Sequence, residues 1–130
     1  MTLSRQARGL LVFGLALTLS GGSFSAGVIH AQIPSQVKHL LNSKECARCD
    51  LQKAQLVGKD LNGAILQGAD FRGAFLAGTT LRKAALKGAS FFGADLKGAD
   101  LTGATDANLV GAVTNEQTIC PGGQSGPCAG

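Results

Sequence analysis

The 130-residue chain has no tryptophan, no tyrosine, one methionine, three prolines and two histidines. Its six phenylalanines are its only aromatic residues, and its apolar content is mostly alanine and leucine. Such a composition favours a thin, tightly wound core over a bulky one. A strong charge of either sign is also missing. The formal net charge is +4, and Arg5 and Arg8 carry two of those charges. From Gln32 onward ten Lys/Arg face eight Asp/Glu. That near-balance argues against a nucleic-acid binder and against an acidic mimic of nucleic acid. The nineteen glycines do not recur at every third position, which excludes collagen, and no charge excess marks disorder. With only His30 and His39, no acid, base and nucleophile converge, and the glycines form no phosphate-binding loop. The chain therefore reads as a non-enzyme with no cofactor and no metal.

The N-terminus has a charged start (Arg5, Arg8), an apolar stretch "GLLVFGLALTLSGG" from Gly9 to Gly22, and small residues before "GVIHAQIP". This is the pattern of an export signal. The apolar stretch falls short of the roughly 20 residues that span a bilayer. Cleavage is expected after Ala31, with Ala26 as the alternative exit, and no stable membrane insertion is expected afterwards. An uncleaved anchor is the competing reading, and it too places the remainder outside the cytoplasm.

What the sequence has in abundance is a period of five. Leu51, Leu56, Leu61, Leu66, Phe71, Leu76, Leu81, Leu86, Phe91, Leu96 and Leu101 are spaced by five without a slip. Two residues before each centre stands Ala or Cys, except at Lys59 and Thr79; two residues after stands Gly, except at Lys53 and Lys83. Five matches neither regular element. On a helix the centres would scatter round the axis, and on a strand they would alternate faces. The chain must turn every five residues. Fixed-period self-similarity outranks any local motif.

The pentads "ADFRG" at Ala69, "ADLKG" at Ala94 and "ADLTG" at Ala99 resemble the pentapeptide-repeat family, A-(D/N)-L-X-X. The resemblance covers Cys49 to Gly103. It implies an all-β solenoid, a right-handed quadrilateral β-helix of just under three coils, with twenty residues per coil. Stacking at that spacing puts Phe71 and Phe91 in one column with Leu51. Lys59, at a position that should be small and inward, is expected to escape at the open end. After Leu101 the register breaks at Asp106, and "ANLVG" resumes out of phase as an irregular final turn.

The expected organisation is a signal peptide over 1–31, a helical cap over 32–48, the β-helix over 49–103 and an irregular C-terminal cap over 104–130. In "IPSQVKHLLNS", Ser35 is suited to start a short helix whose Val37, Leu40 and Leu41 share one face. Four cysteines in an exported chain point to disulfides. Cys120 and Cys128 bracket "PGGQSGP" and are expected to pair. Cys46 and Cys49, in "CARC", form either a structural bridge or a redox pair. A zinc site of all four is disfavoured by the distance between the pairs.

On the outside, Phe75 and Phe92 occupy positions that are usually polar. The four-sided arrangement groups them with Arg72 near one corner, a candidate partner-binding patch. The competing expectation is that the terminal segment covers them. Arg82, Lys83 and Lys87 make a basic corner best read as solvated. The signal, "CARCDLQKAQL" and the cysteine-closed tail resemble exported cyanobacterial and thylakoid-lumen members of the family. The expectation is a non-catalytic exported protein-binding or scaffold module of the periplasm or thylakoid lumen. Its partner is a protein rather than nucleic acid. The alternative is a thiol-redox protein using Cys46 and Cys49.

Overall fold

The computed structural model describes residues 35–129; the segment expected to be an export signal, with His30 in it, lies outside them. One helix, α1 (residues 35–43), opens the described chain. Leu40 is fully buried, and Val37 and Leu41 pack against the core beside it. The helix stops because Lys44 turns to a φ of 62°, where its N–H still reaches the Leu40 carbonyl at 2.8 Å. Three groups tie α1 to the first pentads. The Gln36 side chain accepts the Asp50 N–H at 2.8 Å. The Ser43 hydroxyl accepts the Glu45 N–H at 3.1 Å. The Lys44 ammonium donates to the Asp60 carbonyl and sits 3.4 Å from its carboxylate.

From Cys46 to Ala104 the backbone repeats one device. The N–H three residues after each centre donates to the centre's carbonyl, as from Ala54 to Leu51 at 3.1 Å. The residue two after the centre has positive φ, as at Gly73 (67°). That is a type II turn, which asks for φ > 0 at its third residue. Lys53 (58°) and Lys83 (59°) adopt the same conformation without being glycine. The turns begin at Cys46, one pentad before the first leucine centre, because cysteine stands in for leucine there.

Between turns, single residues pair in parallel with the residue twenty further on: Glu45 with Ile65 and then Ala85, Gln55 with Phe75 and then Asp95. The twenty-residue spacing sends every centre and every small residue inward. The eleven pentad centres from Leu51 to Leu101 are at most 1% exposed. Phe71 and Phe91 stack with ring centroids 4.9 Å apart and planes within 3°. Lys59 is exposed, as expected of a long cation at a narrow inner position. Above it in the same column Thr79 is fully buried, its hydroxyl donating to the Leu56 carbonyl at 2.6 Å.

The aspartates preceding the centres explain their own recurrence. Asp50, Asp60, Asp70, Asp95 and Asp100 each accept the N–H two residues on, at 3.0–3.2 Å. Each side chain thereby holds the entry of the following turn.

After Thr105, paired with Ala85, the register changes. Asp106 takes a φ of 54°, and the next pairings are Asp95 with Val113 and Asp100 with Ile119. Leu109, the centre of "ANLVG", is 4% exposed and makes its own turn to Ala112. Thr118 is fully buried and donates to the Leu96 carbonyl at 3.0 Å, as Thr79 does to Leu56. Ile119 then pairs antiparallel with Ser125 to close the end.

Candidate interaction surface

Both cysteine pairs are bridged, and they sit at opposite ends of the ladder. Cys46 and Cys49 are the first and fourth residues of the first turn, where a centre and a small residue both point inward. Their Cα atoms are 5.3 Å apart, within the range that a bridge spans without moving the backbone. The C-x-x-C spacing is thus the spacing of the fold's inward pair. Cys46 is 3% exposed, buried in the core that α1 covers, and Cys49 packs against that core. Thiol exchange requires in-line access to a sulfur; burial closes the Cys46 sulfur to it, while Cys49 is partly exposed. Cys120 and Cys128 join across 5.5 Å between Cα atoms and fasten the segment after Ile119. Cys128 also donates its N–H to the Thr114 hydroxyl at 3.2 Å.

The three residues singled out on the wall lie near one corner but are differently engaged. Phe75 is 43% exposed and lies in the ladder between Gln55 and Asp95. Phe92 is 64% exposed, and its carbonyl accepts the Gly73 N–H at 3.0 Å, which sets it above Arg72. The Phe92 ring lies over Gly111: a Cβ added there would meet its Cδ2 at 2.3 Å. The terminal segment therefore supports one edge of Phe92 and leaves the ring mostly in solvent. Arg72 is gripped by Asp70, with Nε 2.9 Å and 3.0 Å from the two carboxylate oxygens and Nη2 2.6 Å from Oδ2. That grip is the main cause of the lowered Asp70 pKa and the raised Arg72 pKa. With its guanidinium fixed by Asp70, Arg72 stands one rung below Phe92 as an oriented cation.

The basic corner is looser. Arg82 Nε lies 3.8 Å from the Asp100 carboxylate, and Lys83 and Lys87 are exposed. Asp100 is held below its ordinary range chiefly by the Thr102 hydroxyl at 2.6 Å, and Asp60 chiefly by the Asn62 N–H. Among the described residues no cluster of three or more His, Cys, Asp or Glu could hold a metal, and no helix is long and apolar enough to cross a membrane. Sequence reasoning overlooked Thr79 and Thr118. Thr79 carried a signal, a short polar residue at a position mostly held by alanine; Thr118, beyond the register break, carried none.

The family model described as "Pentapeptide repeats" matches residues 45–82 and 76–105. A pentapeptide repeat protein of Nostoc Pcc 7120 is 31% identical, with a TM-score of 0.51; the match covers 65% of this chain and 77% of that one. A pentapeptide repeat protein from the Arabidopsis thaliana thylakoid lumen is also 31% identical, with a TM-score of 0.48 over 58% of this chain. The present chain spans about half the length of that structure, 53%. No curated protein matches.

Proposed function

The chain belongs to the pentapeptide-repeat family, whose members form right-handed quadrilateral β-helices and are generally non-catalytic, and from that premise we propose that it is an exported binding module whose outer wall holds a protein partner. One observation carries this reading. Phe75 and Phe92 are 43% and 64% exposed on a wall whose backbone is fixed rung by rung. Large rings held in water on a rigid support, beside a cation already oriented by Asp70, are the ingredients of a recognition hot spot. Export to an oxidising compartment such as a periplasm or thylakoid lumen is supported by the signal pattern and by two disulfides that close both ends. Burial of Cys46 favours a structural role for the Cys46–Cys49 bridge over a redox one.

The test is capture from an extract of the compartment where the protein resides. The chain is compared with its Phe75→Ser/Phe92→Ser variant after equal thermal unfolding of the two has been verified. Loss of a specific partner from the folded variant is the expected result. Equal capture by both would remove these rings as the site. No capture by either would overturn the binding-module reading.

A further inference from the structure

The last four regular pentads, centred on Leu86, Phe91, Leu96 and Leu101, have no regular pentad above them. Each presents three backbone groups on that side: the centre's N–H, the N–H two residues later, and the carbonyl two residues before. In every earlier pentad all three are paired. Around Phe71, for example, Phe71 N–H donates to Ser90 O at 2.8 Å and Ala69 O accepts Ser90 N–H at 3.0 Å. At the final level the C-terminal segment caps nine of the twelve groups, from Thr105 against Leu86 to Pro121 against Gly103. The other three are consecutive: Gly88 N–H, Ala89 C=O and Phe91 N–H. None has a hydrogen-bond partner among the described residues.

The cause is local. In the twenty-residue register Val110 would stand over Ser90, and its N–H would serve the Ala89 carbonyl. Instead Val110 N–H turns to its own neighbour, the Asn108 side chain, at 3.1 Å. The chain closes up again only at Gly111, which accepts from Gly93 at 2.8 Å. Between the two levels lies a cleft of about 160 Å³ lined by Gly88, Ala89, Ser90, Phe91, Asn108 and Val110. Exposed Phe92 and Val110, 64% and 57%, flank it.

We infer that this breach is a docking slot for a turn-forming segment of a partner polypeptide, bent as Leu86–Ala89 is, which adds the missing rung by backbone pairing. The inference rests on the binding-module reading and names what the partner presents. One rung below, Lys87 supplies a carbonyl to Gly68, and Ser90 supplies both its N–H and its carbonyl. A backbone offering a carbonyl and, three residues later, an N–H and a carbonyl completes the set. An anion answers the two donors but places its charge against the Ala89 carbonyl. The flanking Phe92 and Val110 suit apolar side chains on the incoming segment.

The test uses isotope-labelled, oxidised chain recovered from an export-competent host. It is titrated with a terminally blocked hexapeptide that copies Leu86–Phe91, and the backbone amides are followed by NMR. Saturable shifts and slowed exchange at Gly88 and Phe91 are expected. N-methylation of the peptide at the residue copying Ser90 removes the donor to Ala89 and is expected to weaken binding about five- to tenfold. The slot is ruled out if those amides stay unmoved at millimolar peptide, or if the methylated peptide binds equally well. It is likewise ruled out if inorganic phosphate moves both amides as strongly as the peptide, or if they move with protein concentration alone. Capture of a partner through Phe75 and Phe92 with silent Gly88 and Phe91 amides would sink the slot and leave the binding module standing.

Discussion

Replacing Thr79 by the residue that the repeat itself prefers, alanine, should destabilise the protein. Thr79 is fully buried, directly above Lys59, and its hydroxyl donates to Leu56 O at 2.6 Å. That carbonyl also accepts the Lys59 N–H at 3.1 Å, so deleting the hydroxyl leaves it half-satisfied rather than stranded. Thr79→Val loses the hydrogen bond, at a cost of about 1 kcal/mol, and must also move a methyl out of the 2.6 Å contact with Leu56 O. Thr79→Ala also empties the volume of the γ-methyl, adding ~0.8 kcal/mol or more. For a domain of this size each 1 kcal/mol lowers Tm by roughly 4–8 °C. Thermal unfolding of the oxidised chain by circular dichroism should therefore place both Thr79→Val and Thr79→Ala below wild type. An alanine variant as stable as wild type would refute the reasoning. The inner column would then be governed by size alone, with the hydroxyl contributing nothing.

The remaining predictions concern the corners, the bridges and the carboxylates. Lys83→Gly should stabilise by about 0.5–1 kcal/mol: it relieves an L-residue at positive φ, worth ~1–2 kcal/mol, against the greater unfolded-state freedom of glycine. Denaturant unfolding measures this, and a loss of stability would show that the Lys83 side chain contributes more than its strain. The Cys120→Ser/Cys128→Ser variant should lose about 2.5 kcal/mol by loop entropy, and Cys46→Ser/Cys49→Ser about 2 kcal/mol for its shorter loop. Chemical denaturation of the two double variants compares them, and a cost near zero in either would mean that packing alone holds that end. Asp60, Asp70 and Asp100 are held below the ordinary aspartate range in the folded chain, so the unfolded chain takes up protons first. Their stabilisation is fully present above about pH 4 and fades as pH falls through the lower folded values. A midpoint of unfolding that stays flat from pH 6 to pH 2 would contradict this.

The sequence made the core legible because a five-residue period has one economical solution. The inward centres, the Phe71–Phe91 column and the escape of Lys59 all follow from counting. Cys46 was missed as a centre because cysteine does not announce itself among leucines, although it stands five before Leu51. The end of the chain was the least legible part. There the pairing spacing falls to 18 for Asp95 with Val113 and 19 for Asp100 with Ile119, so no period reaches the eye. The held ring edge of Phe92 and the engagement of Arg72 by Asp70 depend on side-chain directions that spacing alone does not fix.

The fixed rungs also carry a consequence for variation. Within each pentad the centre and the small residue are committed to the core, and the residue two after the centre is committed to the corner. The others face outward on rungs about 4.8 Å apart. The outside is thus a lattice whose addresses are set by the fold and whose contents are not. Rewriting one node, a phenylalanine for an aspartate as at Phe75, leaves the addresses of its neighbours where they were. A wall of this kind stores a recognition surface almost independently of the sequence that makes it stand.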